Sequence, residues 1–381
     1  MQRPTSGESS RLGPSIMSIE TSLAGGDSIT PSLINEVIVK LKSGITTLNL
    51  PEADGELGIW RQDTTQSREF GFELWRLDGM TMEEAIARYQ DHPDIDYIQP
   101  NYTLTVEDAI PDDPSFGGLW GLHNTGQTGG TVDADIDAPE AWDIAQGEGV
   151  VIGVIDTGVD YTHPDLVNQM WTNPGEIANN GIDDDGNGYV DDVYGYDFAY
   201  NDADPFDGHS HGTHVAGTIA ATQNNSIGIS GVAPQAKIMA IKFLSDGGSG
   251  STFNAIKAVE YATLMGANLT NNSWGGGGYS QALYDAIAAA GEAGQLFIAA
   301  AGNDYGQNND ISPHYPSNYD LDNVISVAAT DHNDQLAYFS NYGPTTVDLG
   351  APGQSILSTV PGGGYGYKSG TSMAAPHVLI L

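Results

Sequence analysis

Five continuous apolar runs alternate with helix-like segments over much of the chain, and this alternation limits the possible fold more than any other feature. The apolar runs cover residues 150–157, 237–244, 267–274, 295–303 and 324–330. Segments of helical character, HGTHVAGTIAAT, FNAIKAVEYATLMG and SQALYDAIAAAGEAG, lie between the first four runs. Strands that are buried on both faces read as continuous apolar runs, and helical crossovers join parallel strands. The sequence therefore predicts an α/β fold with a doubly wound parallel sheet, whose functional groups lie at the carboxyl ends of the strands.

The N-terminal part has a different pattern. Residues 1–33 are rich in Ser, Gly, Thr and Pro, which is typical of a flexible leader. Strand-like segments at 36–42, 72–77 and 95–101 surround a helical segment at 81–90, which indicates a small α+β domain. The predicted parts are a leader (1–33), the small domain (34–104), a linker with an N-terminal arm (105–136) and the large α/β domain (137–381).

Composition excludes several classes of function. The chain has 12 basic and 50 acidic residues and a net charge of -38, so nucleic acid is not an expected partner. It contains no cysteine, which excludes thiol nucleophiles, disulfides and cysteine zinc sites. No run approaches the roughly 18 apolar residues of a membrane span, and the N-terminus lacks the apolar run of a signal peptide.

Three residue types that can perform hydrolysis stand at strand ends or helix starts. Asp156 follows the apolar segment VIGVI, His211 begins a helix of small residues, and Ser372 follows a Gly-Thr pair before another helix. Each also has a structural interpretation. Asp156 could serve as a turn former or helix cap, and Ser372 could serve as an N-cap. His209, His211 and His214 could together bind a metal ion.

The motifs around these residues resemble the active-site signatures of the subtilisin-like serine proteases. The three segments are VIGVIDTGVDYTHPDL, HGTHVAGTIAA and GTSMAAPHV, and they occur in the chain order Asp, His, Ser. The resemblance implies that Asp156, His211 and Ser372 form a catalytic triad, because a serine hydroxyl needs a neutral imidazole to accept its proton. AAAGN resembles the oxyanion segment of the family, which implies that Asn303 stabilises the tetrahedral intermediate.

Glycine-rich segments predict where a peptide substrate binds. Glycine in a strand lets another backbone approach closely, so an extended peptide could pair with two segments of the chain. These segments contain Gly248, Ser249 and Gly250 on one side and Ser273, Trp274 and Gly275 on the other. The family resemblance further implies a specificity pocket between residues 273–275 and Ala300, Ala301 and Gly302, with His314 near its base.

An acidic segment, DDDGNGYVDD, matches the start of a calcium-binding loop. Its candidate ligands are Asp183, Asp185, Asn187 and the carbonyl of Tyr189, with Asp191 or Asp192 completing the set. Tyr194 occupies the position where a complete loop of this type has glutamate, and a solvated acidic turn is the alternative interpretation.

A second calcium site is implied by the resemblance alone. NNSIGISGVAP is similar to a calcium loop of the family. The carried-over ligands are the side chains of Asp113, Asp165 and Asn225 and the carbonyls of Gln223, Ile227 and Ile229. Both Ca²⁺ ions are expected to be structural.

These features together predict a secreted, monomeric, calcium-stabilised serine endopeptidase precursor that acts on proteins or peptides. The resemblance implies that the small domain is an inhibitory propeptide, released by self-cleavage between Thr103 and Asp112. Because the chain ends at Leu381, soon after the serine motif, we expect an incomplete catalytic domain with weak or absent activity.

Two other functions are consistent with the sequence. The first is a catalytically impaired fragment that acts as a calcium-dependent peptide-binding protein. The second is a metal-dependent hydrolase that uses His209, His211 and His214.

Overall fold

The chain forms two compact units, residues 1–107 and 108–381, in the computed structural model. The structure describes residues 35–45, 48, 59–61, 71–102 and 110–378. The predicted leader and most of the predicted cleavage region lie outside the described residues. No helix within these described ranges is long and apolar enough to cross a membrane.

The smaller unit contains a four-stranded antiparallel sheet and one helix. The sheet has the order β2-β3-β1-β4. Its elements are β1 (Glu36–Leu41), β2 (Ile59–Arg61), β3 (Phe72–Leu77), α1 (Met82–Tyr89) and β4 (Ile95–Pro100). Thr81 and Glu84 form a capping box at the start of α1, and Trp75 packs edge-on against Tyr89 in the core. The predicted α+β unit is therefore confirmed, with β2 as a strand too short to be recognised from its sequence.

The larger unit is built on a seven-stranded sheet in which every neighbouring pair is parallel. The strand order is β11-β10-β9-β8-β5-β7-β6. Its strands are β5 (Val151–Asp156), β6 (Gly195–Asp197), β7 (Lys237–Lys242), β8 (Leu269–Asn272), β9 (Leu296–Ala300), β10 (Val324–Thr330) and β11 (Leu349–Pro352). The five predicted strands are β5 and β7 to β10, which confirms the α/β fold.

Helices cover both faces of this sheet. They are α2 (Ala138–Trp142), α3 (His211–Ala220), α4 (Thr252–Leu264), α5 (Gln281–Glu292) and α6 (Thr371–Ala374), and a hairpin of β12 (Ile356–Val360) and β13 (Gly364–Lys368) precedes α6. Alternate residues of β5 face opposite sides: Ile152 packs with α3 and α6, and Ile155 packs with α4 and α5. This two-sided burial explains why the strands are apolar throughout.

Close packing of backbone atoms fixes the start of α3 against the end of β5. Gly212, the second residue of α3, lies against the carbonyl of Gly158 and the side chain of Asp156, so a Cβ at this position would collide with both. The start of α3 is thereby held directly against the end of β5.

Candidate active site

Asp156 and His211 form an acid and imidazole pair, in which the acid is buried and the imidazole is partly exposed. Asp156 ends β5 and has no exposed surface, and His211 begins α3. His211 Nδ1 lies 2.8 Å from Asp156 Oδ1 and 3.0 Å from Oδ2. Burial opposes the charged form of His211, but the charge and hydrogen bond of Asp156 outweigh burial and raise the pKa of the imidazole. The pair can therefore hold a proton on Nδ1 and leave Nε2 to act as a base.

Asp207 holds the two elements that carry this pair. Its carboxylate accepts hydrogen bonds from Thr157 Oγ1 at 2.9 Å and from the backbone N–H and Oγ1 of Thr213 at 2.9 and 2.7 Å. The backbone N–H of Gly212 donates to Thr157 Oγ1 at 2.9 Å. Asp207 is not among the predicted site residues, because its contact with Thr157 joins segments 50 residues apart and leaves no local sequence pattern.

Ser372 is the second residue of α6 and is not its N-cap, which is Gly370. Its hydroxyl donates to the carbonyl of Ser273 at 3.1 Å, and Ser273 Oγ donates to the carbonyl of Ser372 at 2.7 Å. Asn271 Nδ2 donates to Ser273 Oγ at 2.8 Å and so orients it. Within the part of the chain that the structure describes, no hydrogen bond joins Ser372 to His211.

Asn303 follows β9 and faces Ser372 across a small cavity. Its Oδ1 accepts from the backbone N–H of Thr371 at 2.9 Å and from Thr371 Oγ1 at 3.2 Å. Its Nδ2 donates to no described residue, and Asn303 and Ser372 both line the cavity. A side-chain N–H and a helix N-terminus therefore border the same space, as oxyanion stabilisation requires.

This cavity has a volume of about 160 Å³ and opens beside Ser372. It is lined by Trp274, Gly275, Ala300, Gly302, Asn303, Asp304, His314, Thr371 and Ser372. His314 packs against both Gly275 and Gly302, where a Cβ would collide with its ring, and burial lowers the pKa of His314. Ala301 is fully buried and does not line the cavity; its carbonyl accepts a hydrogen bond from Asn309.

A larger groove of about 620 Å³ leads to His211. Gly248, Ser249 and Gly250 line one side, and Ser273, Trp274 and Gly275 line the other. Trp274 and Gly275 border both cavities, so the groove and the small cavity are continuous. The structure thus brings together the predicted substrate-binding residues, with the exception of Ala301.

His209, His211 and His214 do not form a metal site. His214 is fully buried, and its Nε2 lies 3.1 Å from the carbonyl of Ile356 and 3.0 Å from that of Gly366. Nε2 must therefore carry a proton and donate, and burial lowers the pKa of His214 to about 4. Because His211 Nδ1 is bound to a carboxylate and His214 Nε2 to carbonyls, the interpretation of the three histidines as ligands is wrong.

The acidic loop contains a group of carboxylates that could hold a metal ion. One ligand atom each of Glu176, Asp183 and Asp185 lies within 4.8 Å of the others. Glu176 lies before the segment DDDGNGYVDD and is therefore not among the predicted ligands. Asp191 accepts from two backbone N–H groups of the same loop, and Asp192 accepts from Asn187 Nδ2 and from the hydroxyl of a buried tyrosine.

The second predicted calcium loop also brings its acidic side chains together. Asp165 is fully buried; its Oδ1 accepts from Asn225 Nδ2 at 2.7 Å, and its Oδ2 accepts from the backbone N–H of Ile229 at 3.0 Å. Asp113 accepts from the backbone N–H groups of Asn224 and Asn225 at 3.0 and 3.2 Å. Burial raises the pKa of Asp113 in spite of these bonds.

Comparisons with known proteins agree with this arrangement. Residues 147–378 match the family model described as Subtilase family, and residues 33–101 match the Fervidolysin N-terminal prodomain. The thermophilic serine proteinase of Bacillus sp. (strain AK1) is 36% identical over 345 residues, which cover 90% of this chain and 75% of that protein. Thermitase of Thermoactinomyces vulgaris is 42% identical over 243 residues, covering 64% of this chain and 77% of thermitase. A solved protease structure from Pseudoalteromonas arctica is 31% identical, with a TM-score of 0.57 and coverage of 71% of this chain and 85% of that chain.

Proposed function

Because the chain belongs to the subtilase family and is a serine endopeptidase with an N-terminal prodomain, we propose that Asp156, His211 and Ser372 are its catalytic triad. The observation that carries this proposal is the contact of His211 Nδ1 with the buried carboxylate of Asp156, at the end of a groove that leads to Ser372. Intact nucleophile, base and orienting acid favour an enzyme over a peptide-binding protein.

The mechanism requires a movement of the nucleophile. Ser372 Oγ first leaves the carbonyl of Ser273 and donates to His211 Nε2, which accepts its proton during attack on the scissile carbonyl. Asp156 holds Nδ1–H and stabilises the imidazolium. Asn303 Nδ2 and the backbone N–H of Ser372 bind the oxyanion. His211 then protonates the leaving amine, and water hydrolyses the acyl-enzyme by the same steps in reverse order.

The substrate is an extended segment of a protein or peptide. Its backbone pairs with residues 248–250 on one side and 273–275 on the other, as a strand added between two edges. The side chain before the scissile bond enters the cavity beside His314.

Two groups of oxygen ligands fit structural Ca²⁺. In the first, Glu176, Asp183 and Asp185 would bind the ion together with Asn187, because three adjacent carboxylates repel one another without a cation. The second consists of Asp113, Asp165 and Asn225, with the carbonyls of Gln223, Ile227 and Ile229. Calcium supplies charge neutralisation at these loops, and no catalytic step depends on it.

Residues 34–104 would act as an intramolecular inhibitor, and residues 137–381 as the catalytic domain of a secreted monomer. Self-cleavage is expected between Thr103 and Asp112. An intact-mass time course in calcium tests this: the wild-type chain should lose its N-terminal part, and the Ser372→Ala chain should stay whole. Stoichiometric labelling of Ser372 by a fluorophosphonate should accompany processing and would refute the expectation of weak or absent activity. Equal processing of both chains, or labelling at another residue, would contradict the proposed triad.

A further inference from the structure

Lys368, the last residue of β13, lies beside the candidate general base. Its Nζ is 3.1 Å from Ser210 Oγ, and Ser210 immediately precedes His211. Lys368 is half-buried, and no carboxylate of the described residues forms an ion pair with it within 4.0 Å. A positive charge therefore stands next to the catalytic centre without a counter-ion.

Each of the other basic residues that follow Arg88 in the sequence has a partner, including Lys242, whose Nζ donates to the carbonyl of Thr157 beside Asp156. Lys237 donates to a backbone carbonyl, Lys242 is buried and pairs with a carboxylate, and Lys257 lies over two aromatic rings. In a chain with a net charge of -38, one unpaired ammonium beside the centre locally favours an anionic group of the substrate.

The surroundings of His211 indicate which half of the substrate Lys368 meets. His209 lies on one side of His211, with ring centroids 6.3 Å apart, and lines the groove that receives the acyl half. Lys368 lines neither the groove nor the cavity beside Ser372. An extended substrate whose acyl half fills the groove continues past His211 outside the groove, where His211 protonates the leaving amine.

We propose that Lys368 is a specificity-determining residue that favours Asp or Glu in the first residues after the scissile bond. This inference depends on the proposed function of the same site. A partly exposed ammonium and carboxylate attract each other weakly, so we expect an effect of about 1.5- to fivefold in kcat/KM. The effect should decrease in high salt, which screens such a pair.

Lys368 also influences the general base. The ionisable groups that face His211 are Asp156, Asp207, His209, His214 and Lys368. Burial and the charge of Lys368 lower the pKa of His211, whereas Asp156 and Asp207 raise it. Removal of the Lys368 charge should therefore raise the apparent pKa of the acid limb of kcat/KM, a readout that a purely structural role would not move.

The test uses the full-length chain and quenched peptides that share one acyl half and carry Glu, Gln or Lys directly after the scissile bond. Wild-type enzyme should cleave the Glu peptide about 1.5 to five times faster than the Gln peptide at low salt, with a ratio near one at high salt. Lys368→Met should abolish the preference, and Lys368→Glu should reverse it. Lys257→Met, which changes the charge equally on α4, should retain it.

Equal rates for Glu and Gln in the wild type, or an unchanged preference in Lys368→Met, would overturn the inference. Fluorophosphonate labelling of Ser372 in the same preparations distinguishes a failure of the Lys368 inference from a failure of the proposed function. Labelling without a preference rejects the role of Lys368 alone, and absent labelling rejects the proposed function together with it.

Discussion

Ser273 and Ser372 exchange a reciprocal pair of hydrogen bonds. The hydroxyl of Ser273 donates to the carbonyl of Ser372 at 2.7 Å, and the hydroxyl of Ser372 donates to the carbonyl of Ser273 at 3.1 Å. The segment directly after β8 thus holds both the backbone and the side chain of the candidate nucleophile. A substrate N–H that pairs with the Ser273 carbonyl would compete for this acceptor and release the Ser372 hydroxyl toward His211.

Ser273→Ala should lower kcat more than it affects KM. The substitution leaves the carbonyl of Ser372 and the amide of Asn271 without their shared partner, at a cost of about 1 kcal/mol in the free energy of unfolding. Because Ser372 is then held less firmly, kcat should fall by about fivefold, which corresponds to the same free energy lost in the transition state. Steady-state kinetics and urea unfolding measure both quantities.

Ser280→Ala is the matched control for this change. Ser280 caps α5 beside the groove, and its hydroxyl accepts from the backbone N–H of Leu283. Its loss should cost a similar free energy of unfolding with little effect on kcat. A similar fall of kcat in both variants would show that Ser273 acts only through stability.

Asn303→Asp distinguishes two roles of this side chain: binding of the oxyanion by Nδ2, and positioning of the start of α6 by Oδ1. The new carboxylate keeps an acceptor for the backbone N–H of Thr371, but it replaces the free amide donor with a negative charge. We expect kcat to fall by at least about 10²–10³, the range established for loss of the equivalent donor in subtilisin, with KM little changed. A loss of less than tenfold would remove Asn303 from the oxyanion site.

The sheet and the functional residues at its strand ends can be predicted from the sequence, because both depend on patterns of neighbouring residues. Apolar runs predict β5 and β7 to β10. Asp156 and His211 stand at the end of a strand and the start of a helix, and such boundaries have characteristic residue types. Three-residue strands such as β6 carry too little periodicity to be detected. Contacts between distant segments leave no local pattern, which is why Asp207, Glu176 and the Ser273 bonds became apparent only in the structure.

Calcium removal should destabilise the protein, and the two proposed sites can be told apart. If each ion binds only the folded chain, a concentration 100 times Kd stabilises it by about 2.7 kcal/mol. Asp165→Asn and Asp183→Asn, each in a Ser372→Ala background that prevents autolysis, should each reduce the calcium-dependent rise of Tm.

Asp285→Asn serves as the control for the loss of one negative charge. Asp285 lies on α5 and accepts only from a glutamine side chain among the described residues. It should leave the calcium-dependent rise of Tm unchanged. An undiminished rise in Asp165→Asn or Asp183→Asn would exclude the respective site.

Two histidines of the larger unit should destabilise it in acid, because both are buried in the neutral form. Burial lowers the pKa of both His214 and His377 to about 4, below the ordinary value of 6.5. Between these values the unfolded chain binds more protons at the two histidines than the folded chain, so their contribution to stability is complete above pH 6.5 and is lost as pH falls toward 4. Each histidine contributes on the order of 3 kcal/mol to this loss.

Urea unfolding of the Ser372→Ala chain from pH 7 to 4.5 should show the decline in the free energy of unfolding. Adding His214→Gln, which keeps a side-chain donor without a titrating group, should reduce the slope of this decline by about half. An unchanged slope in that double variant would mean that the pKa of His214 is the same in the folded and unfolded chains, so that its burial does not lower the pKa.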